Sequence, residues 1–237
     1  MGELVAVCRV HQLHADAGTV GITAIDKRPV DGRVKVLPLG LYADVQADRA
    51  NHGGTDQAVY AYAQEDADFW AAELGHEVTP GLFGENLRTS GVDVDGAVIG
   101  ERWSVGTAVL EVTQPRVPCQ TFARRLGEKQ WVLRFTRANR TGAYLRVVRS
   151  GEIGAGDAVE VLVRPEHGVT VRDWFAARFG LARGSADPGP DDRGLADVDA
   201  LEVLAKRLLS AHATGDITLS SDMLRRAEQA AGRSVVD

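Results

Sequence analysis

Short runs of alternating apolar residues, broken every few positions by glycine, continue to about residue 164 and then stop. Val34 and Val36 alternate with Arg33 and Lys35. Leu110 and Val112 alternate with Glu111 and Thr113, and Leu145 and Val147 flank Arg146. A period of two is that of a strand with one buried face. Residues 3–10, Val59–Tyr62, Val98–Trp103, Thr107–Val112 and Ala158–Val163 carry similar strand character. Pro29–Gly32 and Ser150–Asp157 are turn signals. Helical spacing is confined to residues 65–74, with Gly75 at the stop, and to the short pieces 122–126 and 131–135. Many short strands with few helices predict a mainly β protein, a closed barrel with a few short helices.

At Pro165 the character changes, so a barrel domain is expected over 1–165 and a helical extension over 166–237. Thr170–Asp173 has the form of a capping box before Trp174, Phe175 and Phe179. Residues 183–194 have linker composition. Val198, Leu201, Leu204, Ala205, Leu208 and Leu209 mark one amphipathic helix, and Ser220 is placed to cap a last one. Three helices this short bury too little surface alone. They are expected to pack on the barrel or on a partner.

The net charge of −6 disfavours non-specific nucleic-acid binding. No apolar run approaches the ~20 residues of a membrane span. Residues 1–5 carry neither the basic nor the apolar region of a secretory leader, and position six is Ala6 rather than a myristoylation Ser or Thr. A cytoplasmic protein without nucleic-acid or membrane partners is expected.

Two cysteines are too few for a disulfide scaffold or for an iron–sulfur cluster. Cys8 lies in the apolar run Leu4–Cys8 and is expected to be a buried strand residue. Cys119 ends the segment Gln114-Pro115-Arg116-Val117-Pro118-Cys119, with Arg124 and Arg125 following. Each proline removes a ladder donor and holds its predecessor extended, so a stiff segment presents the thiol at a strand end. A thiol among guanidinium groups suits a nucleophile or a metal ligand, because positive charge favours thiolate. A small buried apolar cysteine is the alternative, and these residues leave both open. Lys27 and Arg28, with Arg33 and Lys35, form an anion patch or a solvated face. In His52-Gly53-Gly54 the paired glycines make an anion nest or an ordinary tight turn. Glu85 and Asn86 point at a site, or Asn86 satisfies its own loop. His11 and His14 lack a third metal ligand nearby in sequence.

Lys27-Arg28-Pro29-Val30, Gly40–Asp44, His52-Gly53-Gly54, Phe83-Gly84-Glu85-Asn86-Leu87, Gln114–Cys119 and Arg140–Val147, in that order, resemble the MOSC family, in its branch with a C-terminal three-helix extension. The resemblance covers roughly residues 3–164. It implies a β-barrel that binds molybdenum cofactor, with Cys119 as the thiolate ligand to molybdenum, a soft donor suited to the metal. By position, Lys27, Arg28, Arg116, Arg140 and Arg146 become anion contacts. His52, Gly53, Gly54, Glu85 and Asn86 become lining of the pterin or substrate side. The implied activity is reduction of small N-hydroxylated compounds, hydroxylaminopurines among them. A separate flavin or ferredoxin-type reductase would supply electrons, since two cysteines cannot hold a relay. The alternative is a carrier in which Cys119 holds a persulfide sulfur or the cofactor for delivery. A third, metal-free arrangement would have His52 activate Cys119.

Overall fold

The computed structural model describes residues 2–18, 20–47, 53–181 and 198–232. In chain order the strands are β1 (Gly2–Ala15), β2 (Ile22–Pro29), β3 (Val34–Leu37), β4 (Gly40–Leu41), β5 (Val59–Ala63), β6 (Leu87–Ser90), β7 (Arg102–Val105), β8 (Ala108–Pro115), β9 (Ala143–Arg149), β10 (Gly151–Ile153) and β11 (Ala158–Val163). The helices are α1 (Gln64–Leu74), α2 (Gln120–Leu126), α3 (Trp131–Ala138), α4 (Val171–Phe179), α5 (Val198–Thr214) and α6 (Ser221–Ala231).

Seven strands close a barrel in the order β1-β6-β5-β9-β8-β7-β11, and β11 pairs back onto β1. Glu3 pairs with Ser90 on one side and with Ala158 on the other. The pairs are antiparallel except β5–β6. Closure removes the exposed edges that an open sheet would leave. β1 runs past the barrel, and beyond Val7 it pairs with β2 through register shifts between Val10 and His14. β2 was not expected; residues 22–29 form a strand, not merely the approach to a turn. Gly151–Ile153, expected as turn, pairs with β3 in a small sheet β10-β3-β4.

β5 is buried on both faces and divides the interior. Val59, Ala61 and Ala63 enter the barrel core, while Tyr60 and Tyr62 enter an aromatic cluster with Trp70, Phe83, Phe122, Trp131 and Phe135. This follows from period two along a strand. The aromatic rings meet at 4.7–6.5 Å between centroids, mostly tilted or edge-on, as ring quadrupoles favour. α1, α2 and α3 are seated on this cluster.

The extension packs on the barrel, as expected from its size. Trp174, Leu204, Leu208 and Met223 join the same apolar cluster as Leu110 and Val112. Thr170 caps α4, its hydroxyl accepting from Asp173 N–H at 3.0 Å. Ser220 caps α6, accepting from Met223 N–H at 3.1 Å. Arg146 reaches across to donate to the Thr218 carbonyl at 2.6 Å. The linker expected at 183–194 lies outside the described residues.

Candidate functional site

β8 ends at Pro115, and the chain turns at Pro118 into α2, with Cys119 in extended backbone at its N-cap. One turn on, Phe122 is fully buried in the aromatic cluster. Two acids on the β1–β2 hairpin hold the helix from above. Asp16 accepts from Thr121 Oγ1 at 3.0 Å and from Arg124 Nε at 2.8 Å. The Arg124 hydrogen bond draws the Asp16 carboxyl down to about 2. Asp26, wholly buried, accepts from Arg125 at 2.7 Å and from His14 and Arg28 at 3.2 and 3.3 Å. These clamps fix the position of the Cys119 backbone.

Cys119 opens onto a cleft of about 320 Å³ between this hairpin, α2 and the segments around 44–47 and 53–57. Tyr60, Phe83, Asn86, Arg116 and Tyr144 line it together with Cys119. Lys27 lines it as well and is paired with Asp44. Asp44 also accepts from Val10 N–H and from Asn86 Nδ2, both at 2.8 Å. Asn86 is braced further, its Oδ1 accepting from Tyr60 N–H at 3.2 Å. Lys27 and Asn86 are therefore pre-positioned by one shared carboxylate.

Arg116 is 6% exposed. Its guanidinium lies 3.9 Å from the Phe122 ring centroid and 5.4 Å from that of Tyr60. Nη1 is buried with no hydrogen-bond partner. A buried unsatisfied donor in native structure asks for a ligand or a cost. Burial raises the phenol pKa of Tyr60 and Tyr144, with the Arg116 charge pulling the other way. Both phenols stay protonated at neutral pH.

The cleft gathers Lys27, Gly53, Asn86, Arg116 and Cys119 and leaves other candidates elsewhere. Arg28 points to the opposite face of β2, at Asp26. Glu85 is wholly buried, accepts from Gly81 and Phe83 N–H at 2.7 and 3.1 Å, and is paired with buried Arg88. It holds a turn rather than lining the cleft. Arg140 is paired with Asp66 and stacks over Phe69 at 4.4 Å. Arg146 sits between Glu111 and Asp56 on the outer side of β9. The amides of Gly53 and Gly54 donate to Gln57 and Gln46 side chains at 3.1 and 3.0 Å, so the turn is braced from within and no anion nest is left open. His52 lies outside the described residues. Sequence reasoning assigned no role to three acids that order the site, Asp16, Asp26 and Asp44. Their contacts with Thr121, Arg125 and Lys27 span 105, 99 and 17 positions, and although Asp44 ends the segment Gly40–Asp44, its partners cannot be read from that segment.

The donor set fits a metal that arrives already carrying ligands. Among the described residues no group of three or more His, Cys, Asp or Glu could hold a metal ion. One thiol beside a buried guanidinium with an unused N–H suits a soft metal in an anionic organic frame. Cys8, by contrast, is buried in the wall, and burial pushes its thiol up to about 12. No helix among the described residues is long and apolar enough to cross a membrane.

Comparison with known proteins gives a consistent picture. A family model described as MOSC domain matches residues 48–160. Uncharacterized protein YflK of Bacillus subtilis is 38% identical over 157 residues, 66% of this chain and 70% of YflK. Protein YiiM of Escherichia coli is 32% identical over 155 residues, 64% of this chain and 68% of YiiM. A protein named Reductase from Gibberella moniliformis is 35% identical over 147 residues, which are 60% of this chain but 26% of that protein. The crystal structure of YiiM from Geobacillus stearothermophilus superposes with a TM-score of 0.74 at 22% identity, covering 97% of this chain and 99% of that one. At that identity the likeness concerns the fold.

Proposed function

The chain belongs to the MOSC domain family, and from that premise we propose that it is a molybdenum-cofactor-dependent reductase of small N-hydroxylated compounds, hydroxylaminopurines among them. One observation carries the proposal: Cys119 and the buried, unsatisfied Arg116 Nη1 stand on one cleft. The relative named Reductase supports the oxidoreductase class. When bound, the cofactor supplies two-electron chemistry that converts R–NHOH, two electrons and two protons into R–NH₂ and water.

The chain's own residues do the holding. Cys119 provides the single protein thiolate, and the Asp16 and Asp26 clamps on α2 keep it in place. Arg116 gives its spare N–H to an anionic part of the cofactor, in a wall where low dielectric strengthens the contact. Lys27, held by Asp44, offers its remaining ammonium protons to the same side of the cleft. Tyr60, Phe83 and Tyr144 exclude water from the floor. Electrons come from a separate flavin or ferredoxin-type reductase, since the chain has only two cysteines for a relay.

The test is molybdenum and pterin content of protein made in a cofactor-producing host, wild type beside Cys119→Ala. Near-stoichiometric metal in the wild type and its loss in the variant is the expected result. Folded wild type without metal or pterin would end the proposal and direct attention to sulfane sulfur on Cys119.

A further inference from the structure

A second pocket of about 190 Å³ lies where β8 meets α4 and α6. That is room for about six waters. It shares Gln57, Val117 and Tyr144 with the main cleft, so the two adjoin. Pro115 and Met223 give it apolar walls, while Trp174, Arg178 and Arg226 bring donors.

Two of those donors, on Trp174 and Arg178, lack acceptors among the described residues. Trp174 is 1% exposed, and its indole N–H has no partner. Arg178 stacks on Phe179 at 5.0 Å and makes no hydrogen bond or ion pair among the described residues. The pocket's one acid, Asp222, already accepts from Arg226 and Arg225, both at 2.6 Å. Asp222 acts on Arg178 through its charge, without a hydrogen bond to it. Burial, and next the facing Arg226 charge, push its guanidinium pKa down. With Asp222 paired to Arg226, the recess keeps one guanidinium and one indole N–H that an oxyanion would satisfy.

We propose that this recess is an oxyanion site, taking the phosphate or carboxylate end of a molecule whose other end lies in the main cleft. The site itself rests on Trp174 and Arg178 alone. Its use by substrate rests on the reductase proposal, and makes the substrate an N-hydroxylated compound with an acidic tail rather than a neutral base. The Arg178 guanidinium and the indole N–H recognise the anion, and Met223 and Pro115 pack its apolar body.

The experiment titrates the full chain with phenyl phosphate, benzoate and neutral phenol, following intrinsic tryptophan fluorescence and binding heat. Variants are Arg178→Gln and Trp174→Phe, the second keeping the ring and removing only the N–H. Saturable binding of phenyl phosphate or benzoate, but not of phenol, is expected, and whichever anion binds tighter names the group. Removing a hydrogen bond to a charged group corresponds to roughly ten- to hundredfold weaker binding, expected for Arg178→Gln, with a smaller loss for Trp174→Phe. Equal binding of phenol, or unchanged anion affinity in both folded variants, overturns the site. Molybdenum loading that fails while the anion still binds would sink the reductase proposal and leave the site standing.

Discussion

Replacing Arg116 with methionine separates what this residue does for the fold from what it does for the ligand. Without a ligand, the buried Nη1 has no partner, a deficit of about 1–3 kcal/mol. Stacking over Phe122 at 3.9 Å returns about 0.5–2 kcal/mol. Methionine keeps the length of the side chain, removes the orphan donor and restores about 0.3–1.5 kcal/mol through sulfur–aromatic contact. At mid-range the balance favours methionine by about 1–2 kcal/mol, or about 2–8 °C in Tm for a chain of this size. Cofactor retention moves the other way. Loss of one hydrogen bond to a charged group is worth about 1.5–3 kcal/mol, a factor of about ten to a hundred. Thermal melts of ligand-free wild type and Arg116→Met, beside the pterin content of both after expression in a cofactor-producing host, give the two numbers. A Tm fall of more than about 5 °C would show that Arg116 serves the fold, and undiminished pterin in a folded variant would show that it does not serve the ligand.

Three further outcomes are expected. Asp95 accepts from Thr141 N–H at 2.8 Å and Gly142 N–H at 2.9 Å, and burial raises its carboxyl well above 3.8. The native state therefore holds this proton longer than the unfolded state, and its contribution is full below 3.8 and declines as pH rises. Asp95→Asn should gain on the wild type between pH 4 and pH 7 in urea midpoints; a larger deficit at pH 7 than at pH 4 would contradict the sign. Gly142 has φ +65°, and an added Cβ would meet the Ala61 carbonyl oxygen and lie 2.8 Å from the Tyr62 ring. Gly142→Ala should cost more than about 2 kcal/mol in urea unfolding, and a cost under about 0.5 kcal/mol would refute the crowding. Iodoacetamide at pH 8 should label native protein at Cys119 and spare Cys8, whose thiol burial pushes up to about 12. Labelling of native Cys119→Ala would contradict it.

The barrel was legible because period-two runs such as Leu110–Val112 and Leu145–Val147 face a core that rewards alternation. β2 was not. Its interior carries Asp26, Lys27 and Arg28, because one face serves the cleft and the other clamps α2 rather than filling a core. The strand-end placement of the thiol was legible from the proline-stiffened segment, whereas Arg116 as an anion contact was an expectation of the family resemblance. The placement of other cations was not, because residue type does not fix direction. Lys27 and Arg28 are adjacent and diverge by strand alternation. Arg140 and Arg146 are claimed by Asp66 and by Glu111 with Asp56, long-range partners that no sequence pattern announces.

The seam of the barrel sets a schedule for synthesis. Gly2 faces Val159, and Glu3 faces Ala158. The strand made first must wait unpaired on that side until nearly all other staves have left the ribosome. Contacts of such sequence separation slow folding and leave hydrophobic edges open to chaperones or to neighbouring chains. The waiting strand also carries the hairpin that clamps α2, so the thiol cleft is built on the stave that closes the barrel last.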